Sequence, residues 1–111
     1  QRAGSSPSFE ELERLHRGKT GALFAASCEL GALAAGADDE QVERLGRYGM
    51  NVGVAFQHAD DVDDGDFPEF AERATARRIE LANDALAAID GLGDSAATLR
   101  DFAQWIGRAQ G

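Results

Sequence analysis

The sequence predicts an all-α fold, a helical bundle of about five helices. Three observations carry that prediction. Apolar residues recur at spacings of three and four over most of the chain, the period of a helix with one buried face. No segment alternates apolar and polar residues as a half-buried strand would. The interruptions fall at Gly36, at Gly65 with Pro68, and from Gly91 to Asp94, and helix-capping residues follow them.

The elements follow in order. Ser8-Phe-Glu-Glu11 is a capping box, with Ser8 as N-cap and a glutamate three residues on. Phe9, Leu12 and Leu15 continue at helical spacing, and Gly18 is expected to break the helix. A second helix is expected from near Thr20 to about Ala35, with Gly36 as its stop. Along it Leu23, Phe24, Ser27, Cys28, Gly31 and Ala35 trace a stripe of small and apolar side chains suited to close helix packing. Asp38 or Asp39 caps a third helix whose apolar stripe runs through Val42, Leu45, Gly49, Val52, Phe56 and Ala59. A fourth runs from about Pro68 to Ile89, and Ser95 caps a last one through Leu99, Phe102, Ala103 and Ile106. One domain, complete or partial, accounts for residues 1–111, with 1–7 a flexible polar lead.

Composition excludes several function classes. The net charge is −9, so a nucleic-acid partner is not expected, since phosphate backbones need a basic face. No apolar run approaches the ~20 residues of a membrane span. Cys28 is the sole cysteine, so no intrachain disulfide can form, which fits a reducing cytoplasm. Cys28 is read as a packing residue, as is Trp105. The sequence begins at Gln1 and its sole methionine is Met50, so it is read as a processed product, an excised piece or only the ordered part of a longer chain.

One stretch departs from this ordinary pattern. Residues 60–66 contain five aspartates in seven positions, directly after an apolar helical stripe. Asp60, Asp61 and Asp64 spell DDxxD. On a helix Asp60 and Asp64 share a face, with Asp61 beside them. At a helix C-terminus the macrodipole adds to their repulsion. A hard cation relieves both, and oxygen-only donors suit Mg²⁺ together with phosphate oxygens. The alternative is a solvated acidic turn. A calcium loop fails, because with Gly65 as its glycine the twelfth position is Ala71. Gly18-Lys19-Thr20 is like the end of a phosphate loop, but its first glycine would fall on Glu13. Lys19 is nevertheless the sole lysine, a compact ammonium where every other cation is arginine. His16 and His58 are given no role, and Arg73, Arg77 and Arg78 are expected to form a solvated helix face.

Lys19-Thr20-Gly-Ala-Leu-Phe24, Ala26-Ser-Cys-Glu-Leu-Gly31 and Phe56-Gln57-x-x-Asp60-Asp61-x-x-Asp64 together resemble, in order and separation, the trans-type isoprenyl diphosphate synthases of the polyprenyl synthetase family. The resemblance is close from Phe9 to Asp64 and looser beyond. It implies the C-terminal half of the isoprenoid synthase fold, and a Mg²⁺-dependent prenyltransferase that joins isopentenyl diphosphate to an allylic diphosphate. It implies that Asp60, Asp61 and Asp64 are the second aspartate-rich motif, holding Mg²⁺ on the allylic diphosphate. Lys19, with Thr20 beside it, would contact that diphosphate. Gln57 would line the cavity, and Phe56 would pack the helix. The first aspartate-rich motif, the arginine pair after it and the lysine-bearing loop after the second motif are absent from this sequence. The chain alone is therefore expected to be inactive, and to act with a missing N-terminal half or in a homodimer. The competing expectation is a non-catalytic helical subunit or structural fragment that pairs with a second chain.

Overall fold

The computed structural model describes residues 7–108, with nothing stated of the Ser95 side chain. The flexible lead expected over 1–7 lies almost wholly outside the described residues. Every regular element among the described residues is helical. Helices α1 (Phe9–His16) and α2 (Ala22–Ala34) are joined by a π-turn, Arg17–Gly21. Helix α3 spans Asp39–Asp64, α4 Ala71–Ala88 and α5 Ala97–Arg108. Short 3₁₀ turns, Pro68–Phe70 and Asp94–Ala96, precede α4 and α5. Five α-helices thus form four rods, because α1 and α2 are continuous.

The caps act as their sequence signals require. Ser8 accepts from the Glu11 amide at 3.0 Å, and Glu11 returns the contact to the Ser8 amide at 2.8 Å. Asp38 and Gln41 form the same box at the start of α3. Gly36 and Gly65 end α2 and α3 with φ of +83° and +74°, a conformation that favours glycine. Phe67 also has positive φ, 50°, within the turn that follows the aspartates. Helix α5 begins at Ala97, two residues past the cap expected at Ser95.

Gly18 does not break the helix. The backbone widens into a single π-turn, a form that adds one residue without ending the rod and that recurs at functional sites. The small-residue stripe expected on α2 is also corrected. Leu23, Ser27, Gly31 and Ala35 are exposed, and only Phe24 and Cys28 of that set turn inward. The face that meets α3 is Gly21, Ala25, Cys28 and Ala32. The close approach is made by glycines on α3. A Cβ at Gly49 would lie 2.6 Å from the Phe24 carbonyl oxygen, and one at Gly53 3.0 Å from the Gly21 Cα.

Helix α3 is central, with α2 along one side and α4 along the other, and α5 closes over α4. Tyr48, Val52, Ala85, Ile89 and Ala103 form one apolar cluster, and Val54, Ala55, Leu81 and Ile106 a second. The Tyr48 hydroxyl donates to the Leu99 carbonyl at 2.9 Å. Burial pushes its pKa up to about 12. Arg44 donates to the Ala88 carbonyl at 2.9 Å and to Asp90, supplying a cation where α4 ends. The shortest extent of the molecule is 17 Å, less than two helix diameters. Large apolar side chains therefore remain uncovered: Leu15, Leu23, Leu30 and Leu33 are 55–66% exposed. Trp105, read as a packing residue, is 52% exposed and stacks on Phe102.

Candidate metal and diphosphate site

The π-turn places Lys19 and Thr20 beside the last turns of α3. Thr20 Oγ1 donates to Gln57 Oε1 at 3.1 Å. Gln57 lies one turn before Asp61, and its amide nitrogen faces Asp61 Oδ1 at 3.5 Å. Glycines at 49 and 53 permit this proximity, because any side chain there would force the two helices apart. Phe56 stacks with Phe24 across the same junction at 6.2 Å, and is 38% exposed rather than buried.

The three motif aspartates separate. Asp60 and Asp64 are exposed on one face of α3, whereas Asp61 is 8% exposed and turned inward. The charge of Asp60 is the largest influence on Asp64 and holds its carboxyl above the ordinary carboxylate range. Among the described residues none of Asp60, Asp63, Asp64 or Asp66 is ion-paired. Lys19 is likewise exposed and without an ion-pair partner there. Two outward carboxylates of like charge, with no protein cation between them and only oxygen donors, fit a hard divalent ion.

Beneath this surface lies a network that sequence reasoning missed. His16 Nε2 donates to Asp61 Oδ2 at 2.9 Å. His58 Nε2 meets Glu13 Oε1 at 3.0 Å, and Arg77 donates to both Glu13 oxygens at 3.0–3.2 Å. Phe9 stacks on the His58 ring at 5.1 Å, and His16 meets that ring edge-on at 5.2 Å. Burial pushes His58 below its ordinary value, against the pull of Glu13. Burial also pushes Glu13 up, but hydrogen bonds from Arg77 and His58 outweigh it and hold the carboxyl low. Ligand atoms of His16, His58 and Asp61 lie within 4.8 Å of one another. Each imidazole Nε2 already meets a carboxylate, whereas the buried His58 Nδ1 has no hydrogen-bond partner among the described residues. Helical spacing could not bring His16 and His58 together, since 42 positions of chain separate them; only the packing of α1 on α3 does.

The arginines also depart from expectation. Arg78 is buried, Arg77 is held by Glu13, and Arg73 pairs with Glu10 at 2.9 Å while lying 4.4 Å over the Phe9 ring. Arg73 and Arg77 tie α4 to α1 rather than forming a solvated face, and Arg78 is buried with its Nε unpartnered among the described residues. Cys28 is half-buried against the core, and burial raises its thiol, which suits packing rather than nucleophilic chemistry.

An all-helical layer of this topology, with an acidic helix terminus set against a lysine-bearing turn, defines an isoprenoid-synthase-type fold. A crystal structure of a protein from Marinomonas sp. MED121, assigned as a farnesyl-diphosphate synthase, superposes with a TM-score of 0.81 at 36% identity, over 93% of this chain and 41% of that one. The polyprenyl synthetase family model matches residues 1–69, and the chain belongs to that family. Nonaprenyl diphosphate synthase of Mycobacterium tuberculosis is 51% identical over 59 residues, covering 53% of this chain and 18% of the relative. Heptaprenyl diphosphate synthase component 2 of Geobacillus stearothermophilus is 55% identical over 51 residues, 46% of this chain and 16% of the relative. The chain thus spans well under half the length of the proteins it matches.

Proposed function

We propose that this chain is the C-terminal, diphosphate-binding part of a cytoplasmic Mg²⁺-dependent prenyltransferase that condenses isopentenyl diphosphate with an allylic diphosphate. The observation that carries the reading is the outward Asp60–Asp64 pair without a protein cation, set beside the turn that presents the unpaired Lys19. Asp60 and Asp64 hold the cation, and Asp61 completes the motif from its buried position. A bound Mg²⁺ neutralises charge on the departing diphosphate. Lys19 adds a fixed ammonium toward the same oxygens, where negative charge grows as the allylic C–O bond breaks. Gln57, held by Thr20, presents a polar wall one turn before the aspartates. Phe24 and Phe56 supply an apolar wall that keeps water from the allylic cation. The relatives' names span different prenyl chain lengths, in keeping with a shared diphosphate site.

The uncovered leucines of α1 and α2 favour one further element of the reading: this layer docks against other helices, in a second part of the fold or a second chain. Component 2 of the heptaprenyl synthase carries a name that speaks of a multi-component assembly, which supports the same view. The test is calorimetric titration of the chain with Mg²⁺ and inorganic pyrophosphate, together with product analysis from isopentenyl and allylic diphosphates. The chain alone is expected to bind the pair but not to turn over. Asp60→Ala should abolish binding, and Lys19→Ala should weaken it about tenfold or more, the worth of a charge-assisted contact. No binding by the wild type would overturn the proposal.

A further inference from the structure

We propose that His16 is a positioning residue for the acidic motif, and that Asp61 works with His16 while Asp60 and Asp64 alone meet the metal. The inference rests on the Mg²⁺–diphosphate reading of this site. It deepens that reading by dividing the motif into a binding pair and a strut.

The division follows from exposure and hydrogen bonding. Asp61 lies between two exposed aspartates of its motif yet is 8% exposed. Its Oδ2 accepts from His16 at 2.9 Å and its Oδ1 faces the Gln57 amide at 3.5 Å. Both oxygens are thus turned to protein donors. A cation that demands near-octahedral oxygen geometry finds a poorer ligand there than in the free carboxylates beside it.

The donors have a common origin. His16 ends α1 and acts directly; Thr20, in the π-turn, acts through Gln57. Lys19 sits between them in sequence. The two contacts that orient Asp61 therefore also fix the lysine-bearing turn against the end of α3. A charged hydrogen bond away from water is stiff as well as strong. Moreover, His16 has little freedom. It is 9% exposed and lies edge-on against His58, whose other neighbours are Phe9 and Glu13. A side chain locked by its own surroundings can hold another in place.

The test uses the chain with Mg²⁺ and inorganic pyrophosphate, read by calorimetry, with melting temperatures measured alongside. Asp60→Asn is expected to remove binding, whereas the equally isosteric Asp61→Asn should weaken it by roughly tenfold, the worth of a hydrogen bond to a charged group. His16→Phe, which keeps a ring and loses the donor, should weaken it by a similar factor. His16→Gln, whose terminal amide reaches toward the same donor position, should recover most of the loss. Because His16 and Asp61 act as one unit, the double variant His16→Phe with Asp61→Asn should bind no more weakly than Asp61→Asn alone. A merely structural histidine would move the melting temperature and leave affinity unchanged in the folded protein. Equal losses in Asp60→Asn and Asp61→Asn would overturn the inference, as would multiplicative effects in the double variant or a folded His16→Gln that does not recover. Should His16→Phe not fold, the comparison of the two isosteric aspartate variants decides alone. Wild type that binds and a His16→Phe that binds equally well would sink this inference only. Wild type that binds nothing would sink the reading of the site and this inference with it.

Discussion

Gly49→Ala tests how the fold holds the site together. The added Cβ would lie 2.6 Å from the Phe24 carbonyl oxygen, 2.8 Å from its carbon and 2.9 Å from the Ala25 Cα, all of them backbone. No rotamer change relieves a clash with backbone, so the α2–α3 separation must grow. Opening the shortest contact from 2.6 Å to an ordinary 3.4 Å needs about 0.8 Å of movement. Overpacking of this kind costs ~1–3 kcal/mol. With three backbone contacts under 3 Å the cost lies in the upper part of that range; alanine returns up to ~1 kcal/mol of helix propensity, which leaves a net loss of ~1–2 kcal/mol and, at ~4–8 °C per kcal/mol, a fall in melting temperature of roughly 4–16 °C. Gly31→Ala is the control, because a Cβ there meets nothing within 4 Å and the propensity gain stands alone. It should stabilise by ~0.5–1 kcal/mol. The same movement, carried two turns along α3, would stretch the 3.1 Å Thr20–Gln57 bond past hydrogen-bond reach and loosen the site. Circular dichroism melts and urea titrations of both variants measure this. A Gly49→Ala protein as stable as the wild type would refute the argument that glycines set the helix spacing.

Two other outcomes follow from the buried network and the open face. Stability should fall in two stages on acidification: first below pH 6.5, where the unfolded chain protonates His58 and the folded state resists, then below 4.5 as the depressed Glu13 carboxyl is titrated. Urea midpoints against pH should show both, and His58→Gln should erase only the first; a profile flat down to 4.5 would contradict the assignment. Leu23→Asp with Leu30→Asp, at two leucines each 66% exposed, should shift any self-association toward monomer in sedimentation experiments. Wild type that is monomeric at the same concentration would remove self-association as the way this face is covered.

The helices and their ends were legible because capping is local chemistry. Ser8 with Glu11, Gly36 and Gly65 each act within a few residues, so spacing alone reveals them; for α3 the sequence offered Asp38 or Asp39, and the structure selects Asp38, boxed with Gln41. The errors have one character. Gly18 was read as a break from its propensity, but the backbone stays helical there through the π-turn Arg17–Gly21. The buried stripe of α2 was assigned to the wrong residues, because small and apolar residues occur all round that helix and periodicity alone does not say which face meets α3.

Sequence by itself determined the all-helical class, the capping box of α1 and the glycine stops of α2 and α3. Tertiary structure alone decided which aspartate turns inward, which histidine meets it, and which arginines are buried. The reason is distance along the chain. His16 and Asp61 are 45 residues apart, as are Glu13 and His58, and Glu13 and Arg77 are 64 apart. Contacts of that span depend on how two helices pack against each other, which no local sequence signal encodes.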